Sequence, residues 1–236
     1  MPDIREMLGR LNPTNIRYDT GKGGGAPDLT AQDIAAALAF VKPGLGREVF
    51  ARLWWPDGAR LSPRELGRTI SNLVHAEAAR RHNRLQKARI ELHIAEEDAL
   101  SRRVSTDFER RTLRSLQMRV SHLKLQVWPY QPEMHVAIRE AILDEIARPN
   151  LCDQCGGRGT TMRDNLVVIC GGCKGARILP VSDRTRAAKI GRDESSYRAS
   201  WKGLYEWLFR QVADEEHKAA CQFAAALRRD DMQGAA

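Results

Sequence analysis

Aromatic residues are scarce in this 236-residue chain, at 6 %, while charged residues make up 29 %. That balance argues against a β-sandwich and for a helix-rich protein. No apolar run approaches the roughly 20 residues of a membrane span, so no membrane partner is expected. The opening residues MPDIREMLGRL lack the apolar centre of a secretory signal, which points to a cytoplasm. A nuclease or recombinase would need clustered carboxylates, or a Ser or Tyr nucleophile with basic helpers; the carboxylates are dispersed along helical stretches, so an enzyme is not expected. Tyr197 and Tyr205 fall on an apolar helix face, where core packing accounts for them. The histidines at 75, 82, 93, 122, 135 and 217 are scattered without metal-ligand spacing.

What is present supports a core, with 42 % hydrophobic residues. The formal net charge of +8, with a pI near 9.5, favours a polyanionic partner without requiring one. Four of the five cysteines fall in two close pairs. Disulfides are rare in a cytoplasm, so paired cysteines there more often hold metal.

Along the chain, residues 1–27 read as a flexible tail containing GKGGGAP, with a short amphipathic helix near 3–11. Residues 28–150 read as a helical region. Thr30 is the expected N-cap of a first helix, with Asp33 near its positive end, running to about Val41. Lys42-Pro43-Gly44 stops it, and a second helix covers roughly 45–54. The clearest helix start is Ser62-Pro63-Arg64-Glu65, a capping box with proline in the first turn. That helix presents Leu66, Ile70, Leu73, Val74 and Ala78 at helical spacing. Two further helices, about 83–102 and 107–126, form a hairpin arm at 83–127. Leu85, Ile90, Leu92, Ala95, Ala99 and Leu100 are expected to face Leu113, Leu116, Val120, Leu123 and Val127. The arm packs on itself or docks a partner. Trp128-Pro-Tyr-Gln-Pro132 breaks the run, and helix returns at 133–147.

The chemistry-bearing pattern is Cys152-x-x-Cys155, fourteen residues, then Cys170-x-x-Cys173. A Cys-x-x-Cys knuckle turns two sulfurs toward one ion, and two knuckles joined by a short β-hairpin complete a tetrahedron suited to one structural Zn2+. Glycines at 156, 157, 159, 171, 172 and 175 permit the tight turns. The redox alternative needs one reactive pair beside a βαβ pattern, which is missing. Strand signal is confined to Leu166–Ile169. Cys221, alone in an Ala-rich helix, reads as a small buried side chain. The expected fold is thus mainly α, with an inserted four-cysteine zinc finger at 151–180 and a C-terminal unit at 181–236.

That unit reads as a helix-turn-helix followed by a long helix. Ser182 or Asp183 caps a helix through Ile190, Gly191 turns, and Asp193 or Ser195 caps a second helix. Ala187, Gly191 and Tyr197 occupy the small, turn and anchor places of a helix-turn-helix, while Arg192 and Ser200 depart from its usual apolar choices. Between Lys174 and Lys202 there are eight basic and three acidic residues. Two packed helices with solvated charges would read the same way. As a DNA-binding surface, Ser195, Ser196, Arg198 and Lys202 would reach bases or phosphates. Arg184, Arg186, Lys189 and Arg192 would contact phosphate. Arg198 is the best candidate to read guanine, because its fork engages two acceptors.

CDQCGGRG, CGGCKG, the basic Ser-rich helix pair and SWKGLYEWLFRQVADEEHK together resemble the late-gene antitermination protein Q family of lambdoid phages. The resemblance is clearest over about 150–220, weaker over 30–80 and 133–147, and does not reach the arm. It implies binding to double-stranded DNA at a phage late promoter in a bacterial host cell. It also implies engagement of paused host RNA polymerase with its sigma factor, and readthrough of terminators. A host elongation factor is a further implied partner. The family's zinc ligands match Cys152, Cys155, Cys170 and Cys173, and its DNA contacts match Arg184 to Lys202 as a region. A repressor sharing the DNA module is the nearest alternative. A co-chaperone-like zinc module is another: CDQCGGRG fits its CxxCxGxG unit, but CGGCKGAR carries Arg177 in place of the last glycine, and only two such units occur.

Overall fold

The computed structural model describes residues 31–102, 106–129, 131–163 and 166–233. The expected tail at 1–27, its helix near 3–11, the Thr30 cap and the Asp33 side chain lie outside the described residues. Helix α1 spans Ala31–Ala39 and α2 Leu45–Trp54, followed by a 3-10 turn at Pro56–Gly58. Helix α3 spans Pro63–Ser101 and α4 Asp107–Gln126, and α5 follows at Pro132–Ala147. Strands β1, Thr160–Arg163, and β2, Leu166–Ile169, pair antiparallel, with Thr160 opposite Ile169. Helix α6 spans Asp183–Lys189. Helix α7 starts at Glu194–Ser196, passes through a π turn at Tyr197–Trp201, and continues as Lys202–Gln233.

The capping box at Ser62 works as the sequence predicts. Ser62 Oγ accepts from the Glu65 N–H while the Glu65 carboxylate accepts from the Ser62 N–H. Thr106 and Glu109 do the same at the start of α4. The two helices expected near 63–78 and 83–102 are one 39-residue helix. Ala79-Arg-Arg-His82 holds no proline, glycine or cap to interrupt it, and about 58 Å of helix results.

The hairpin arm is formed by the distal half of α3 packed on α4. Its seam follows the alternating 3-4 spacing of Leu85, Ala88, Leu92, Ala95 and Ala99 against Leu113, Leu116, Val120 and Leu123, a coiled-coil repeat. Ile90 and Leu100, expected in that seam, fall outside the repeat and are 59 % and 79 % exposed. Arg119 pairs with Glu91 across the arm at 2.6 Å. At the arm's base Arg81 stacks over Trp128 and donates to the Gln126 carbonyl, and Trp128 packs on Trp207 of α7.

One apolar cluster joins α2, α3, α5, α6 and the first half of α7, through Val49, Ile70, Ile138, Ile142, Ala187, Tyr197, Leu204 and Leu208. A second joins α1 and α2 to the distal part of α7, through Leu38, Phe50, Phe223 and Leu227. Residues 183–212 therefore share a core with residues 49–142. Helix α2 crosses α7 so closely that a Cβ on Gly46 would lie 2.2 Å from the Glu215 carbonyl oxygen. Buried carboxylates tie the layers together. Glu48 accepts from the Arg60 and Leu61 N–H groups, and Glu216 accepts from the Trp54 indole. No helix among the described residues is long and apolar enough to cross a membrane.

Candidate metal centre and nucleic-acid interface

The cysteine unit is anchored at both ends. Asn150 and Cys152 pair with Leu179 and Arg177 through backbone hydrogen bonds of 2.7 and 3.0 Å, with Pro149 and Pro180 just outside. These bonds bring the two knuckles together. Cys152, Cys155, Cys170 and Cys173 are all buried, and their sulfurs lie within 4.8 Å of one another. Cys152 and Cys170 Sγ are 3.8 Å apart, Cys155 and Cys173 Sγ 3.7 Å. A disulfide would need about 2.05 Å. A tetrahedron with metal–sulfur bonds of about 2.3 Å has edges of about 3.8 Å. The four thiols therefore fit a single metal ion as full ligands. Burial raises the Cys152 thiol to about 11. Cys155 is also buried, but the Gly159 N–H, 3.2 Å from its sulfur, and the neighbouring thiols outweigh burial and lower it to about 7.

The two knuckles repeat one backbone trace. The residue after each second cysteine is left-handed (Gly156 φ 55°, Lys174 φ 50°), as is the next (Gly157 77°, Gly175 86°) and the one two further on (Gly159 79°, Arg177 70°). The N–H groups of Arg158 and Ala176 donate to the carbonyls of Cys155 and Cys173. Gly159 is required twice over, since a Cβ there would also meet the Gly175 carbonyl at 3.0 Å. Lys174 and Arg177 hold the same conformation with full side chains, a strain the first knuckle avoids.

Cys221 is not part of this cluster. It is exposed, 3.6 Å from His217 Nε2, because the buried face of α7 runs through Ala219, Ala220, Phe223 and Ala224. The expectation of a buried thiol there is corrected.

After Pro180 the chain enters the basic helix pair. Ser182 caps α6, accepting from the Thr185 N–H at 3.1 Å. Gly191 turns with φ 68°, and Asp193 caps α7 through the Ser196 N–H at 2.8 Å. Ala187, Ile190, Tyr197 and Trp201 are buried between the pair and the core. The π turn, in which the Lys202 N–H reaches the Tyr197 carbonyl, lies inside the segment carrying Arg198. Such turns recur at functional sites.

The eight sequence-selected contact residues split into two groups. Arg184 is exposed on α6 and Ser195 exposed at the start of α7. Ser195 Oγ donates to Asp193 at 2.6 Å, and Ser196 is half-buried. Arg198 is 60 % exposed and Lys202 39 %, and both meet Asp183, at 3.0 and 2.9 Å. The other three cations turn toward α5. Arg186 is only 13 % exposed and makes a two-point pair with Glu145, at 3.0 and 2.6 Å. Tyr205 adds a hydrogen bond to the same carboxylate at 2.7 Å, and the Arg186 guanidinium lies over the Tyr205 and Phe209 rings. Lys189 pairs with Asp144 at 2.6 Å. Arg192 reaches Gln131 and Met134 at 3.4 Å.

Arg186, assigned to phosphate from the sequence, is thus a packing residue. Its partner lies 41 positions away, beyond any sequence pattern. The charge count also changes. Asp144, Glu145 and Glu206 touch basic members of the 174–202 segment. Arg148 shares Asp144, so with these neighbours the local count is nine basic and six acidic residues, and the excess of five positive charges falls to three. No family model, curated protein or solved structure matches the chain.

Proposed function

We propose that this chain is a zinc-stabilised, sequence-specific DNA-binding transcription regulator, acting as a phage antitermination factor. The observation that carries the reading is a succession within one segment. A closed four-thiol site leads into a tight-turn helix pair that leaves Arg184, Ser195, Ser196, Arg198 and Lys202 at least partly open to solvent. Four thiolates leave no open coordination position, so Zn2+ on Cys152, Cys155, Cys170 and Cys173 would hold the fold and perform no catalysis. Its binding would contribute on the order of 10 kcal/mol to folding the finger.

In this reading α6 and α7 form a helix-turn-helix, with the start of α7 in the major groove of duplex DNA. Arg198 reads guanine through its fork, and Ser195, Ser196 and Lys202 contact bases or phosphates beside it. Arg184, Lys189 and Arg192 meet phosphates and set the register. Arg186 is left out of the contact set, since using it would break its buried pair with Glu145. The late promoter, the paused polymerase with its sigma factor, the host elongation factor and the readthrough of terminators are carried by the resemblance over residues 150–220. They place the action in the cytoplasm of a bacterial host. Selection from a random duplex pool tests the DNA-binding step: enrichment of one consensus is expected, and a flat profile overturns it.

One observation favours a second reading, a finger that grips protein. The two knuckles share the backbone of CxxCxGxG units, and Met162, Val167 and Ile169, which share a face of the hairpin, are 67 to 71 % exposed. A chain that enriches no duplex yet slows aggregation of an unfolding client protein would support it over the first.

A further inference from the structure

We propose that Asp183 is a positioning residue for sequence discrimination, its carboxylate spanning the helix pair to orient Arg198 and Lys202. The inference rests on the DNA-binding reading above and names how that site would discriminate.

Asp183 was one of two candidate caps for α6, and Ser182 takes that role. The Asp183 carboxylate is therefore free to turn away from its own helix. Its Oδ2 accepts from Arg198 Nε at 3.0 Å and from Lys202 Nζ at 2.9 Å, residues 15 and 19 positions on and in the other helix. The Asp183 side chain is 16 % exposed, whereas Arg198 stays 60 % exposed. The carboxylate thus grips the Nε side of a guanidinium whose Nη2 meets Glu194 and whose remaining edge stands in solvent. A guanidinium held on that edge keeps a fixed plane, and a fixed plane is what two-point recognition of a base requires. Glu194 also touches Arg198, at 2.5 Å, but from one turn earlier on the same helix, so it does not link the pair.

The same carboxylate has an opposite effect on affinity. A negative charge beside a phosphate-binding surface weakens every duplex alike. Asp183 would therefore lower non-specific binding while raising discrimination, which is how specificity is gained through repulsion as well as attraction. The lowered carboxyl pKa of Asp183, caused first by Lys202 and then by Arg198, agrees with that bridge being charged at neutral pH.

The experiment compares the wild-type chain with Asp183→Asn, Glu194→Gln and Asp183→Glu. Fluorescence anisotropy measures each on the duplex that wild type enriches from a random pool and on a scrambled duplex of the same length. Circular dichroism checks that helix content matches. Asp183→Asn and Glu194→Gln each remove one negative charge, so both should tighten binding to the scrambled duplex severalfold. Asp183→Asn should lower the specific-to-scrambled ratio by about tenfold, and by more than Glu194→Gln, which loses a second carboxylate on Arg198 but keeps the link between the helices; Asp183→Glu should lie nearer wild type. If wild type enriches no duplex, DNA binding fails and the Asp183 role fails with it. If wild type enriches a duplex but Asp183→Asn keeps the ratio, or lowers it no more than Glu194→Gln, DNA binding stands and the Asp183 role alone is overturned.

Discussion

Removing the Glu145 carboxylate should loosen the joint between α5, α6 and α7 more than any single surface change. The carboxylate accepts two hydrogen bonds from Arg186 and one from the Tyr205 hydroxyl. The side chains of Glu145 and Arg186 are 6 % and 13 % exposed, so solvent cannot replace the lost partner. Glu145→Ala leaves a guanidinium charge and a hydroxyl unpaired in the interior. Breaking one side of a buried pair costs about 3–5 kcal/mol. Glu145→Gln keeps an acceptor and loses the charge, so about 2 kcal/mol is expected. Replacing both Glu145 and Arg186 by Met removes the desolvated charges together and should cost less than the two single changes summed, by about 2–3 kcal/mol. Urea unfolding followed by circular dichroism measures the wild type, Glu145→Ala, Glu145→Gln, each single Met change and the double mutant. A loss below about 1 kcal/mol for Glu145→Ala, or strict additivity in the double mutant, would show that this pair does not clamp the helices.

Other expectations follow from single residues. Arg177→Gly should stabilise the metal-loaded protein by up to about 1 kcal/mol, since relief of left-handed strain exceeds the added chain entropy; a lower urea midpoint would contradict it. Gly46→Ala should destabilise by about 2–3 kcal/mol, because its new methyl meets the Glu215 carbonyl at the α2–α7 crossing; a neutral result would mean the helices are further apart. Cys155→Ala should reduce the metal content measured by native mass spectrometry from one ion to none. Most helical signal should remain, because neither large apolar cluster includes the finger; collapse of all helix signal would contradict that independence. Burial raises the hydroxyl pKa of Tyr197 to about 12, and burial with Glu145 raises that of Tyr205. Unfolded tyrosines ionise near pH 10, so stability should be complete below about pH 10 and fall as pH rises beyond it. Tyrosinate absorbance at pH 10 in the folded protein that Tyr197→Phe or Tyr205→Phe removes would refute this.

The helical parts of the fold were legible because their signals are local. Ser62-Pro63-Arg64-Glu65 announces a helix start within four residues. The β-hairpin followed from its position between two thiol pairs and from Leu166–Ile169. The four-cysteine cluster was legible for the same reason, since its spacing alone suggests that the sulfurs converge. What escaped the sequence depends on partners far along the chain. The split of α3 was an expectation with no residue to cause it. Arg186 looks like any other cation of its segment until Glu145, 41 positions earlier, is seen beneath it. The charge excess shrank because Glu145 arrives from α5 and Glu206 from the next turn of α7. Arg177 is the reverse case. The sequence marked it as the missing glycine of a repeated unit, and its φ of 70° shows that the backbone follows the repeat regardless.

The most direct measurement is transcription in vitro by bacterial RNA polymerase holoenzyme past an intrinsic terminator. The template would carry, near its promoter, the duplex that the chain selects. Severalfold more readthrough is expected with the wild-type chain, with little or none from Arg198→Ala or Cys155→Ala. Unchanged readthrough while the duplex is bound would contradict antitermination and leave a plain DNA-binding regulator.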